Sequence, residues 1–409
     1  MNYTEAVKIL EEYGQTHLLK YYDELSSKEQ DELIKQISEI DFSLLKLIKG
    51  EKNEKAKGVI TPLTDTVSIK DIENNKEEFE AIGVDAIKNN KVAALLLAGG
   101  MGTRLGSDKP KGMYNIGITK DVYIFERLIS NLMDVVEKTG TWIPLFIMTS
   151  DKNDKDTREF LKEKNYFGYN EDYIDFFIQE MAPACDYDGK IYLEGKGKIS
   201  ASPNGNGGWF ISMEKAGLVK KAKEMGVEYI NLFAVDNVCQ RMADPLFIGA
   251  TIKGGYRSAS KVVAKARPEE KVGVLCLEDG KPSIVEYYEL SEKMTYQKDE
   301  NGELAYKYGV ILNYLFNIDD LEKNANEDLT VHIVEKKIKY MDEDGNVIKP
   351  EKENGYKFET LVLDMIHMMD NCLAYEVVRE KEFAPIKNKE GNDSVETARE
   401  LLKINGVEL

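Results

Sequence analysis

The run Val92-Ala93-Ala94-Leu95-Leu96-Leu97-Ala98 carries no polar residue and passes directly into Gly99-Gly100-Met101-Gly102-Thr103-Arg104-Leu105-Gly106. A continuous apolar stretch closed by glycines is the pattern of a parallel strand buried on both faces. The chain must therefore turn at the end of a buried strand, on residues without Cβ atoms. Gly99, Gly100 and Gly102 let the backbone approach a ligand closely and adopt positive φ, so that successive N–H groups can face one anion. Arg104 and Lys111, the latter within Pro110-Lys111-Gly112, add full positive charges beside that turn.

Two common nucleotide loops are excluded. A P-loop needs Gly-x-x-x-x-Gly-Lys-Ser/Thr, whereas Lys111 follows Pro110 and precedes Gly112, with no hydroxyl residue to hold magnesium. The dinucleotide fingerprint needs Gly-x-Gly-x-x-Gly, and counting from Gly100 the third glycine position is Leu105. A bare Gly-x-Gly is equally an ordinary tight turn. The added Thr-Arg-Leu-Gly and Pro-Lys-Gly at this spacing favour an anion cradle.

The net charge of -18 argues against a nucleic-acid partner or an anionic membrane surface, both of which select basic patches. An acidic protein that binds a polyanion must gather a few Lys and Arg locally, so each basic residue in a glycine-rich setting is informative. The 409 residues, 42% hydrophobic and 31% charged, suit a soluble globular chain of more than one domain. No transmembrane-length apolar run and no signal-like start is present, so a cytoplasmic location is expected. Four scattered cysteines, Cys185, Cys239, Cys276 and Cys372, read as buried thiols.

Residues 3–50 show helical apolar spacing, with a capping-box pattern at Ser26 and Glu29, and residues 51–70 read as a linker. Helices are expected at 76–89, 122–138, 211–225, 358–369 and 394–404. Strands are expected at 92–98, 142–148, 174–178, 227–235 and 373–378. The βαβ order implies an open parallel sheet with the ligand at the carboxyl ends of its strands. An antiparallel layer is expected from 261–265, 272–277 and 283–288. A second glycine-rich turn, Pro203-Asn204-Gly205-Asn206-Gly207-Gly208, is either a loop or a close-approach site. Asp236 stands at the mouth of a buried strand, where it either caps the next turn or serves as a magnesium ligand beside a polyphosphate.

The first loop together with Pro110-Lys111-Gly112 resembles the signature of sugar nucleotidyltransferases, and the fuller resemblance is to the eukaryotic-type UDP-N-acetylhexosamine pyrophosphorylases of the uridylyltransferase family. It extends through Pro203-Asn204-Gly205-Asn206-Gly207-Gly208, Val235-Asp236-Asn237, Lys261-Val262-Val263-Ala264-Lys265, Val285-Glu286-Tyr287, Asn354-Gly355-Tyr356-Lys357-Phe358-Glu359 and Phe383-Ala384-Pro385-Ile386-Lys387-Asn388. The resemblance implies an α/β fold: a Rossmann-like, GT-A-like domain with a central mixed sheet at 76–330, a helical N-terminal region at 1–75 and a small β-rich C-terminal region at 331–409.

It also implies a reaction, in which UTP and a sugar 1-phosphate give a UDP-sugar and pyrophosphate with Mg2+ as cofactor. Arg104, Lys111 and Lys387 would then be catalytic, stabilising charge on the transferring and leaving phosphates. Gly99, Gly100, Met101, Gly102, Thr103, Gln179 and Gly205 would bind the nucleotide, the Gln179 amide matching the donor and acceptor of uracil. Asn206, Glu286 and Asn313 would hold the sugar, and Asp236 the metal.

The family carries Gly-Asn-x-x-Asn where this chain reads Gly309-Val310-Ile311-Leu312-Asn313, so one amide is replaced by Val310. N-acetylglucosamine 1-phosphate is the substrate the overall resemblance favours, and glucose 1-phosphate or a broader range is the alternative. A non-catalytic nucleotide-sugar-binding relative on the same fold is a third reading. The joint presence of Arg104, Lys111, Asp236 and Lys387 argues for the enzyme.

Overall fold

A computed structural model describes residues 1–48, 58–324 and 329–409, arranged as a mixed α/β chain. Contacts group it into two compact units that are discontinuous in sequence. One gathers the described residues of Met1–Lys57 with Glu180–Gly208 and Leu329–Val362; the other gathers Gly58–Gln179, Trp209–Asp328 and Leu363–Leu409. This grouping by contact runs across chain order, so each unit combines segments from the beginning, middle and end of the sequence.

The larger unit is built on one sheet. Its strands are β1 (Thr66–Val67), β2 (Val92–Leu97), β3 (Leu145–Thr149), β4 (Ile174–Ile178), β5 (Tyr229–Ala234), β6 (Ser258–Ala264), β7 (Tyr308–Asn317) and β8 (Leu373–Glu376). They lie in the order β1-β8-β6-β7-β5-β2-β3-β4. All six residues of β2 are buried, as its apolar run requires. Helices Lys76–Lys88, Ile124–Thr139 and Pro245–Lys253 add Phe79, Leu128 and Phe247 to the surrounding core.

Register decides where the site lies. β2 is parallel to both β5 and β3, with Leu97 opposite Ala234 on one side and Met148 on the other. β3 is parallel to β4, with Thr149 opposite Ile178. The four strands therefore end together, and the next residues of each open one edge: the Gly99 loop, Ser150 to Asn153, Gln179, and Asp236. This is the carboxyl edge at which open α/β sheets carry ligands.

Several expected elements differ. The sheet is mixed, as the resemblance implies, and not the open parallel sheet read from the βαβ order, because β7 runs antiparallel between β5 and β6. The segment expected at 261–265 is part of β6 inside this sheet, not a separate antiparallel layer; residues Val274–Glu278 and Lys281–Val285 do form a hairpin, joined to Ile60–Pro62. The expected linker at 51–70 lies outside the described residues up to 57, and beyond them it forms that short strand and β1 rather than a loop. The helix at 211–225 is two helices, Trp209–Lys215 and Leu218–Glu224, divided by Gly217 at φ +74°. The helix at 358–369 starts only at Val362, because Gly355–Thr360 pairs as a strand with Val331–Lys336.

In the smaller unit, helices Tyr3–Glu12 and Ser27–Glu39 bury Leu10, Leu33 and Ile37 against Ile191, Ile199 and Phe358. The second helix begins with the capping box read from the sequence, the Ser26 N–H donating to the Glu29 carboxylate at 2.8 Å. Among the described residues, no helix is long and apolar enough to cross a membrane.

Candidate active site

The glycine loop is a small latch whose carbonyls are tied into the protein. Gly102 N–H donates to Lys109 O at 2.8 Å, and Lys111 N–H to Gly100 O at 3.1 Å, closing residues 100–111 on themselves. The Asn153 amide donates to Ala98 O at 2.9 Å and to Gly100 O at 3.3 Å, anchoring the entry of the loop. The N–H groups of Gly99, Gly100 and Met101 donate to no protein acceptor among the described residues. Unpaired successive donors at a strand end form the concavity that suits an anion.

Thr103 and Arg104 lie exposed on the following turn, and the Arg104 guanidinium makes no ion pair among the described residues. Gly106 closes that turn at φ +79°, a conformation that favours glycine.

Two of the glycines lie close against side chains. A Cβ at Gly112 would lie 2.3 Å from the Phe125 ring, so only glycine lets the Pro110-Lys111 turn pack onto helix Ile124–Thr139. A Cβ at Gly99 would lie 2.6 Å from Nε2 of Gln179. Gln179 follows β4, is nearly buried, and is fixed by its N–H to Thr149 O at 2.9 Å. Its side-chain amide bonds to no protein group among the described residues, leaving a donor and an acceptor beside the glycine turn.

Lys111 and Asp236, brought together from the ends of β2 and β5, form an ion pair with Nζ and Oδ1 2.6 Å apart. The lysine side chain is 11% exposed and the carboxylate 38%, so the pair opens to solvent from the acid side.

The segment carrying Lys387 is fastened to the same place. Ile386 N–H donates to Asp236 O at 2.8 Å, and Ala384 N–H donates to Asn237 Oδ1 at 2.8 Å. Asn237 Nδ2 in turn donates to Glu382 O at 2.7 Å. Lys387 itself is exposed, with its ammonium 3.2 Å from Asp393.

Of the sugar candidates, Glu286 lies beside Val310. A Cβ built on Gly273 would meet Val310 Cγ2 at 3.4 Å and Glu286 Oε1 at 3.7 Å. Asn313 is fully buried; its Oδ1 accepts from Asn231 at 2.8 Å and its amide donates to Arg241 O at 3.2 Å. Between Val310 and Asn313, Leu312 takes φ +55°, where the register of β7 against β6 shifts. A leucine in that conformation marks backbone held by its surroundings.

Gly205 and Asn206 belong to the smaller unit. Gly205 has φ +87°, and a Cβ there would lie 2.1 Å from Thr360 O. Asn206 Oδ1 accepts from Val362 N–H at 3.0 Å. Close backbone packing thus accounts for this glycine turn within its own unit.

Sequence reasoning left out three contributors. Asn153 has no local signal, since its role depends on β3 ending beside β2. Lys261 gives one, a lysine within the buried run Ala259 to Val263; it makes ion pairs with Asp244 and Glu382. Lys265, at the end of β6, is 8% exposed without an ion pair among the described residues, and burial holds its ammonium below the usual lysine range.

As for a metal, the described residues hold no group of three or more His, Cys, Asp or Glu able to ligate one. The half-exposed Asp236 carboxylate, with one oxygen on Lys111, suits Mg2+ that takes its other ligands from phosphate and water.

Comparison with known proteins gives the family. Residues 43–404 match the family described as UTP–glucose-1-phosphate uridylyltransferase. A mouse protein named UDP-N-acetylhexosamine pyrophosphorylase-like protein 1 is 35% identical, over 94% of this chain and 80% of its own. A Saccharomyces cerevisiae protein named UDP-N-acetylglucosamine pyrophosphorylase is 36% identical, over 97% of this chain and 88% of its own. The crystal structure of the uridine diphosphate N-acetylglucosamine pyrophosphorylase from Trypanosoma brucei superposes with a TM-score of 0.83 at 27% identity, covering 98% of this chain and 84% of that one. The chain belongs to the UTP–glucose-1-phosphate uridylyltransferase family.

Proposed function

We propose that this enzyme transfers the uridylyl group of UTP to N-acetylglucosamine 1-phosphate, releasing pyrophosphate and UDP-N-acetylglucosamine. A phosphate oxygen of the sugar phosphate attacks the α-phosphorus, and the bond from that phosphorus to the oxygen bridging to the β-phosphate breaks. Such a transfer needs in-line placement and positive charge rather than covalent work by the protein. The observation that carries this reading is the convergence at one sheet edge of unpaired N–H groups, the Lys111–Asp236 pair and the segment bearing Lys387.

In this account the amides of Gly99, Gly100 and Met101, with Gly102 and Thr103 shaping the turn, receive phosphate oxygens. Arg104 and Lys111 stabilise the departing pyrophosphate, and Lys387 the α-phosphate as it is attacked. Gln179 reads uracil across Gly99, and Glu286 contacts the sugar. Asn313, with its amide engaged by protein, supports the sugar side indirectly. Asp236 would hold Mg2+ together with the phosphates, and the ion would supply neutralisation of triphosphate charge.

The sugar assignment follows the names of relatives at 34 to 36% identity. Val310 beside Glu286 supports a second reading, tolerance of glucose 1-phosphate, because valine offers no hydrogen bond to an acetamido group. Pyrophosphate release tests both. With UTP and Mg2+, N-acetylglucosamine 1-phosphate is expected to give the highest kcat/KM; preference for glucose 1-phosphate by several decades would overturn the assignment.

A further inference from the structure

Lys261 is an unusual residue for its place. It lies in β6 between β7 and β8, fully buried, with Val262 and Val263 following and the rings of Phe247 and Tyr375 at 5.5 and 5.9 Å from its ammonium. Its Nζ is 2.9 Å from Asp244 Oδ2 and 2.6 Å from Glu382 Oε2, and it donates to Arg241 O at 3.3 Å. Burial opposes charge on all three side chains. The attraction between Lys261 and Asp244 overcomes it, keeping the lysine protonated and the aspartate ionised.

These partners come from the two segments that meet at Asp236. Arg241 and Asp244 follow the Asp236-Asn237 turn, and Asp244 also caps helix Pro245–Lys253 by accepting from Leu246 N–H at 3.1 Å. Glu382 ends the short helix Arg379–Glu382, and its own carbonyl accepts from Asn237. The chain then runs from Glu382 to Lys387, fastened on the way at Ala384 and Ile386. One ammonium thus bonds both sides of the clasp that ties Ile386, the neighbour of Lys387, to Asp236.

Stability alone does not call for such a group, since a well-packed apolar cluster of similar volume serves a core as well as a buried ion triad or better. What the triad supplies is direction: two carboxylates from separate segments are each held at bonding distance from a single nitrogen. We infer that Lys261 is a positioning residue, fixing through Glu382 the place of Lys387 in the reaction. The inference rests on the catalytic assignment of Lys387 made above.

A double-mutant cycle tests it, using the full chain with UTP, N-acetylglucosamine 1-phosphate and Mg2+. Lys261→Met is expected to lower kcat about 10- to 100-fold, as small misplacements of a reacting group do, with KM for UTP within about threefold. The variant Lys261→Met/Lys387→Ala is expected to be no slower than Lys387→Ala alone, because the first change acts through the residue removed by the second.

Glu382→Leu, which removes the acceptor that ties the Lys387 segment to the ammonium, carries the same cycle if Lys261→Met does not fold. Rate losses that multiply, or a folded variant with kcat like the parent, would overturn the positioning role. A Lys387→Ala enzyme with nearly full kcat would instead overturn the catalytic assignment of Lys387, and the two failures are distinguishable.

Discussion

Lys111 Nζ lies 2.6 Å from Asp236 Oδ1, so the lysine suited to shield a triphosphate and the carboxylate suited to hold its metal are already partners. On the function proposed, an entering magnesium triphosphate would give each an opposite charge of its own, and the pair would serve as a template for the substrate charges. Asp236→Asn should therefore raise the Mg2+ concentration for half-maximal rate at least about tenfold and lower kcat, while chelation stops turnover. Initial rates against free Mg2+ check this; an unchanged Mg2+ dependence would remove Asp236 from the metal site.

Arg104 is exposed and unpaired among the described residues, whereas Lys111 is nearly buried against Asp236. Substituting either with alanine, or Lys387, should cost about 2 to 4 kcal/mol of transition-state stabilisation, two to three decades in kcat. The variants differ in stability. Arg104→Ala should melt like the parent, while Lys111→Ala leaves Asp236 without its cation and should melt lower. Thermal melts beside single-turnover rates separate the two effects, and a kcat within a few-fold of the parent would contradict the roles given to these residues.

Gly99→Ala probes base recognition without touching a charge. The added methyl meets the far end of the Gln179 side chain, at 2.6 Å from Nε2, which can swing away at little cost to the fold. The expected result is a normal melting temperature with a raised KM for UTP and weaker discrimination against CTP. Retained UTP selectivity would show that Gln179 does not read the base.

Val310→Asn restores an amide beside Glu286. If that position contacts the acetamido group, the change should favour N-acetylglucosamine 1-phosphate over glucose 1-phosphate by about 1 to 3 kcal/mol, read as a ratio of kcat/KM values. An unmoved ratio would remove position 310 from sugar selection.

All four cysteines are buried thiols. Burial pushes the Cys239 thiol up to about 11 and those of Cys185 and Cys372 to about 12, so the thiolates that react are scarce at neutral pH. The native enzyme should keep its activity under excess thiol reagent and release four titratable thiols only on unfolding. Rapid modification of the native protein with loss of activity would contradict this packing.

The first glycine loop was legible because its function is local: a buried strand, a turn and two cations lie within one stretch, from Val92 to Lys111. The pairing of Lys111 with Asp236 was not, since it depends on β2 and β5 lying parallel with Leu97 opposite Ala234, a register that residues so far apart in sequence do not reveal. For the same reason the strand Gly355–Thr360 was missed. Its residues carry helical spacing into Val362, and only pairing with Val331–Lys336 makes them extended. The reading of Gly205 shows the reverse difficulty, because a glycine needed for contact with Thr360 looks identical in sequence to one that faces a ligand.

The edge that joins the glycine loop, Asp236 and Lys387 should carry uridylyl transfer from UTP to a sugar 1-phosphate. The direct measurement is to follow UTP labelled at the α-phosphorus, with N-acetylglucosamine 1-phosphate and Mg2+, by separating the products. The α-label should appear in UDP-N-acetylglucosamine with an equal yield of unlabelled pyrophosphate, and neither should form when the sugar phosphate is omitted. Label found in UMP, or UTP left intact with both substrates and metal present, would contradict it.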